Sequence, residues 1–187
     1  VDVVRVLLKQ KNILVNQAGK DGATPLFFAC RKGHVNVVQV LLARKEIDIN
    51  QAMQDEWTPL HVVCQNGHED IVRLFLAREE IQINQEGKKG ITPLLIACKE
   101  GHVGVARLLL TKKETQINQA NEDGTTPLYI ASQQGHVDVV QLLLVRKEIQ
   151  INQADENGGT PLLTACDKGR VDVVQLLLAR KEIQINQ

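Results

Sequence analysis

The residues of this chain with chemistry to offer are cysteine and histidine, and they come at fixed spacing. Cys30 and His34, Cys64 and His68, and Cys98 and His102 form three Cys-x-x-x-His pairs, a thiolate–imidazole combination of the kind that holds zinc. Zinc needs four ligands at one centre, whereas each pair offers two and the next pair lies 34 residues further on. Gly33, Gly67 and Gly101 also break any helix that would align the two members of a pair. No metal or other cofactor is expected, and these histidines read as turn residues bonding to neighbouring backbone. His61 lies at a different position, three residues after Thr58, and reads as a structural partner of that threonine rather than a base. No nucleophile, base and orienting acid converge, and no glycine loop of the phosphate-cradling kind is present. The chain reads as non-catalytic.

The spacing that defeats a metal site belongs to a larger pattern. Thr-Pro-Leu begins at Thr24, Thr58, Thr92, Thr126 and Thr160, every interval being 34 residues. Asn-Gln returns with the same interval at Asn16, Asn50, Asn84, Asn118, Asn152 and Asn186, and Gly-His at Gly33, Gly67, Gly101 and Gly135, with Gly169-Arg170 in the fifth slot. A fixed period of this size is the signature of a repeat array.

One unit, Asp123 to Gln153, shows the local logic. Gly124 supplies a turn, Thr126 is a suitable N-cap, and Pro127 occupies the first helical position, where its missing N–H costs nothing. Gly135 ends this short helix, and a second runs from Val137 with Val140, Leu143 and Leu144 on one face. Arg146 and Lys147 suit the negative end of its dipole. Ile149-Gln150-Ile151 alternates apolar and polar and predicts a short extended arm. Neither helix is long enough to be stable alone. Units must therefore stack, giving one elongated solenoid with near-neighbour contacts.

Gly-x-Thr-Pro-Leu, then a small residue, Gly-His, a Val/Leu-rich helix and an arm ending in Ile-Asn together resemble the ankyrin repeat. The resemblance spans the chain as a half repeat at 1–18 and five repeats at 19–52, 53–86, 87–120, 121–154 and 155–187. It implies an all-α helix-turn-helix solenoid with short β-hairpin fingers, and a concave face of fingers and first helices that binds other proteins. By that resemblance the contact surface takes Gln54, Asp55 and Trp57 with Gln65 and Asn66 in the second repeat. It continues through Lys88, Lys89, Ile91 and Lys99 in the third, and Glu122, Thr125 and Gln133 in the fourth. Trp57 is singled out because the chain has one Trp and Trp is enriched at interface hot spots. The competing reading packs it on the neighbouring finger.

Departures from the family pattern carry their own expectations. The period is one residue longer than the usual value of about 33, and no Gly follows the second helix. Ile47, Ile81, Ile149 and Ile183 read as a new apolar anchor there, with Thr115 in that slot marking the loosest finger. The family's His after Thr-Pro-Leu survives as His61, which questions the hydrogen bond to the Thr hydroxyl in the other repeats. Glu56 replaces the turn glycine found as Gly22, Gly90, Gly124 and Gly158, so a different turn is expected there.

Cys30, Cys64, Cys98 and Cys166 share one slot, with Ser132 in the fourth repeat. Stacked helices lie roughly 8–10 Å apart, too far for a disulfide. All four thiols are expected to be reduced and buried as small apolar residues, which suits a cytoplasmic location. The chain carries 22 basic and 22 acidic residues, so it presents no electrostatic footprint for nucleic acid, and no apolar run approaches a membrane span. Val1-Asp2-Val3-Val4 aligns with Val137-Asp138-Val139-Val140, so the first second-helix lacks its partner. An uncovered face at Val1, Val4 and Leu7 and end-to-end self-association are expected from this. Residues 137–153 and 171–187 differ only at Val145 versus Ala179. Such near-identity supports the alternatives of a structural spacer or an engineered array, and an appendage of a larger enzyme or channel is the remaining one.

Overall fold

A computed structural model describes residues 13–184. The expectations for Val1, Val4 and Leu7 lie outside the described residues. Ten α-helices occur among those described: α1 (Pro25–Arg31), α2 (Val35–Leu42), α3 (Pro59–Asn66), α4 (Glu69–Leu76), α5 (Pro93–Lys99), α6 (Val103–Leu109), α7 (Pro127–Gln134), α8 (Val137–Leu144), α9 (Pro161–Asp167) and α10 (Val171–Leu178). The odd-numbered, first helices stack on one another, as do the even-numbered, second helices, and each pair packs together.

Each first helix begins as the sequence requires. The Thr hydroxyl accepts a hydrogen bond from the backbone N–H three residues on, at 3.1 Å for Thr24 and Phe27, 3.2 Å for Thr92 and Leu95, 3.1 Å for Thr126 and Tyr129, and 3.2 Å for Thr160 and Leu163. The cap therefore persists in repeats without the histidine. Gly135 closes α7 at φ 82°, a left-handed conformation that glycine adopts without a Cβ clash.

The core runs the length of the array. Leu26, Leu60, Leu94, Leu128 and Leu162 point into it from the first helices, and Val140, Leu143 and Leu144 from α8, as expected. Arg146 is half-buried rather than exposed, because its guanidinium lies back against Glu148 with an Nε–Oε1 distance of 3.2 Å. Ile47 is buried, and Ile81, Ile149 and Ile183 pack against the core half-buried, so the anchor slot is real.

Three expectations change. The Ile149-Gln150-Ile151 stretch is two successive turns rather than an extended arm, closed by Ile149 N–H to Arg146 C=O and Gln153 N–H to Gln150 C=O. Thr115 is not loose: its hydroxyl donates to the Leu109 carbonyl at 2.6 Å and substitutes a hydrogen bond for the missing isoleucine contact. Glu56 does not change its turn, since it takes φ 65° itself, the conformation its glycine counterparts adopt. The turn that differs is in the third repeat, where Lys89 at φ 64° precedes Gly90 at φ 70°.

Candidate functional site

The fingers are the loops before each Thr-Pro-Leu. Each is closed by a backbone hydrogen bond across its base, from Gly19 to Ala23, Met53 to Trp57, Gly87 to Ile91, Asn121 to Thr125 and Asp155 to Gly159, at 2.8–3.1 Å. Among the described residues only Gly87 and Ile91 form a β-bridge, so the fingers are tight turns more than hairpins. An Asx side chain pins four of them internally: Asp21 accepts from Ala23 N–H, Asp55 from Trp57 N–H, Asn121 from Thr125 N–H and Asp155 from Gly159 N–H.

Neighbouring fingers are also joined to one another. Gln54 N–H donates to Asp21 C=O at 3.0 Å, Lys88 to Asp55 at 3.3 Å, Glu122 to Lys89 at 3.0 Å and Glu156 to Asp123 at 3.2 Å. These bonds place the expected contact residues Gln54, Asp55, Lys88, Lys89 and Glu122 along one continuous row of tips. All five side chains are exposed, and Thr125 is half-buried.

The first-helix candidates form a parallel row. Gln65, Asn66 and Lys99 are exposed and Gln133 is half-buried. Their backbone is fixed by the next repeat: His102 Nε2 bonds to Gln65 C=O at 3.0 Å, His136 Nε2 to Lys99 C=O at 2.8 Å, and Arg170 Nε to Gln133 C=O at 3.0 Å. The Gly-His dipeptide is thus an inter-repeat device. A Cβ on Gly67 would lie 2.8 Å from His102 Cε1, so one repeat's glycine makes room for the next repeat's ring.

Trp57 and Ile91 are half-buried and pack against the core. The Trp57 ring lies over His61, centroids 5.8 Å apart with planes at 34°, and a Cβ on Gly87 would come within 3.2 Å of Trp57 Cδ1. His61 itself is fully buried. Its Nδ1 lies 2.7 Å from the Thr58 hydroxyl and 3.2 Å from Thr58 N–H, and its Nε2 lies 2.9 Å from the Ile91 carbonyl. Burial pushes its pKa below the ordinary 6.5, against the opposing pull of the Ile91 bond and of Asp55. Tyr129 fills the same slot in the fourth repeat, hydrogen-bonding to Thr164 and Asp155, and burial pushes its phenol up.

Cys30, Cys64 and Cys98 are buried, and desolvation pushes their thiols far above the usual range. Cys166 departs from the expectation because it is exposed. It sits on α9, against whose outer side no described helix stacks.

The Asn-Gln recurrence has no role legible within a single repeat. Each of these asparagines that lies among the described residues clamps the next repeat. Asn50 donates to Glu80 C=O at 2.8 Å and accepts from Gln82 N–H at 3.0 Å, and Asn16, Asn84, Asn118 and Asn152 repeat the pattern. The arrangement presents a row of hydrogen-bonded fingers with varied polar tips. No helix among the described residues is long and apolar enough to cross a membrane. A family model described as ankyrin repeats, in three copies, matches residues 1–53, 46–121 and 113–187. No curated protein matches the chain.

Proposed function

Because the chain belongs to the ankyrin repeat family, whose members are generally protein–protein interaction modules, we propose that it is a non-catalytic scaffold recognising a protein partner through its finger and first-helix face. The observation that carries this reading is the hydrogen-bonded row of fingertips. A surface held in place before binding loses little conformational entropy on association. The residues on that row also vary more between repeats than the second helices on the opposite side, of which α8 and α10 are identical.

Gln54, Asp55, Lys88, Lys89 and Glu122 form the tip contacts in this proposal, and Gln65, Asn66, Lys99 and Gln133 the second line. Trp57, Ile91 and Thr125 lie between the two rows, with an accessible edge and a packed edge. Charge alternates along the tips from Asp55 and Glu56 to Lys88 and Lys89 to Glu122 and Asp123, which favours a partner of mixed charge over a polyanion or polycation.

The test immobilises the chain and captures protein from a lysate of its source. A Lys88/Lys89/Lys99→Ala variant should lose the captured protein, while Asp138→Ala and Gln141→Ala on α8 should retain it. Loss with the α8 variants alone would refute the assignment of the face.

A further inference from the structure

Asn-Gly occurs twice in the chain, at Asn66-Gly67 and Asn157-Gly158. The dipeptide has a reaction of its own, because glycine has no Cβ to keep its backbone nitrogen away from the preceding side chain. That nitrogen attacks the carbon of the asparagine side-chain amide, ammonia leaves, and a succinimide ring closes. Water then opens either ring carbonyl, giving aspartate or an isoaspartate whose main chain runs through the former side chain. Water is taken up and ammonia released, and no oxidant or reductant takes part. Closure needs a free side chain and a backbone able to turn toward it.

The two copies stand in opposite surroundings. Asn66 ends α3, and its Nδ2 donates to the Val62 carbonyl at 2.7 Å. The Gly67 N–H is held by the Val63 carbonyl. A Cβ on Gly67 would lie 2.8 Å from His102 Cε1, and that ring is itself bonded to Gln65 C=O. Side chain, nitrogen and adjoining space are all committed, to the helix or to the next repeat.

Numbering the fingers in chain order, Asn157 stands at the tip of finger five, Asp155–Gly159. Glu156, Asn157 and Gly158 are exposed, and the Asn157 side chain makes no hydrogen bond among the described residues. A Cβ on Gly158 would meet nothing within 4 Å. On Gly22 and Gly124, in the same slot of fingers one and four, it would meet the backbone nitrogens of Gln54 and Glu156 at 2.9 and 2.8 Å. The nucleophile carries a single restraint, the bond from Gly158 N–H to Asp155 C=O at 3.0 Å. That bond lies in an exposed turn, where local opening costs little.

We propose that Asn157 is a site of spontaneous deamidation and isomerisation through a succinimide with Gly158, and that the fold shields Asn66 from the same reaction. The aspartate product puts at this tip the residue that fingers one, two and four carry there as Asp21, Asp55 and Asp123, so the turn accommodates it. Isoaspartate adds a carbon to the main chain inside the loop that Asp155 Oδ1 pins through Asn157 N–H at 3.0 Å and Gly159 N–H at 2.6 Å. Either product places a new negative charge beside Glu156, at the end of the fingertip row.

The test keeps wild-type protein at neutral pH and body temperature in water enriched in heavy oxygen, then maps its peptides by mass spectrometry. The Asn157 peptide should yield aspartate and isoaspartate carrying heavy oxygen, at least about tenfold faster than the Asn66 peptide. In guanidinium chloride, which removes the surroundings of both, the two sites should convert at similar rates. Asn157→Gln should abolish the acidic variant that accumulates in native protein, since the longer side chain closes the corresponding ring far less readily. Native conversion of Asn157 no faster than that of Asn66, or an acid product without isoaspartate, would overturn the proposal. A rate difference that persists undiminished in denaturant would overturn the shielding of Asn66 by the fold.

Discussion

Asn84 and Glu114 are joined across a repeat boundary by a 2.6 Å hydrogen bond from the asparagine amide to the glutamate's backbone carbonyl. The same side chain accepts from Gln116 N–H at 3.0 Å, so a single amide satisfies one acceptor and one donor of the turn after the second helix. With five such clamps, one per boundary, the turn after each second helix needs no strand to hold it. Asn84→Ala should lower the urea midpoint, with a loss of about 1–2 kcal/mol for two partly exposed bonds. Asn84→Asp keeps the acceptor and should lose less. An unchanged midpoint in both would assign the clamp no energetic weight.

Leu143 is the corresponding test of the apolar core. It is fully buried on α8, which packs between α6 and α10. Leu143→Ala should cost about 2–5 kcal/mol of unfolding free energy, read from denaturant titration. A loss of a few tenths would mean that the site is not packed.

The four cysteines divide three to one. Thiol reagent added to native protein should label one cysteine, Cys166, with Cys30, Cys64 and Cys98 reacting only after unfolding. Mass spectrometry of the labelled peptides gives the assignment directly. Rapid labelling of all four, or a disulfide between any two, would contradict the packing of the first helices.

Glu56 holds a left-handed conformation at φ 65° in a turn where Gly22 takes 86° and Gly124 takes 75°. An L-residue there is strained by roughly 1–2 kcal/mol, so Glu56→Gly should raise the urea midpoint. Most substitutions lower stability, which makes this sign a strict check on the turn geometry.

Trp57→Ala separates two roles on one ring. Its inner edge packs on His61 and against Gly87, so thermal stability should fall measurably. If its outer edge also meets a partner, affinity should drop by about 2 kcal/mol, and calorimetric titration at a temperature where both proteins are folded distinguishes the two. Lost stability with unchanged affinity assigns Trp57 to packing alone.

What the residues made legible was whatever is settled within a few positions of itself. Thr126, Pro127 and Gly135 state where α7 starts and stops, and the spacing of Val140, Leu143 and Leu144 states which face is buried. Relationships spanning a repeat were opaque. Asn50 reads as an ordinary turn residue until the stack brings Glu80 and Gln82 beside it, and Ile149-Gln150-Ile151 mimics a strand because alternation also suits consecutive turns with one side against a core. Glu56 misleads for a related reason: conformational preference predicted a new turn, but the bond between its own finger and finger three, Lys88 N–H to Asp55 C=O, holds the old one. For the surface residues, sequence variation picked out the exposed tips, whereas the packing of Trp57 depended on Gly87, thirty residues away.

The bonds between repeats have one further property. Each asparagine clamp reaches 30 and 32 residues ahead, and the Gly-His device reaches 37 residues across the boundary. Excision or duplication of any 34-residue block would hand each clamp an equivalent acceptor and donor in the same place. Array length is therefore free to change by whole units through unequal recombination without repair at the splice. The exception is the joint built on His61, where a cut would separate the imidazole from a finger whose glycine is shaped to receive it.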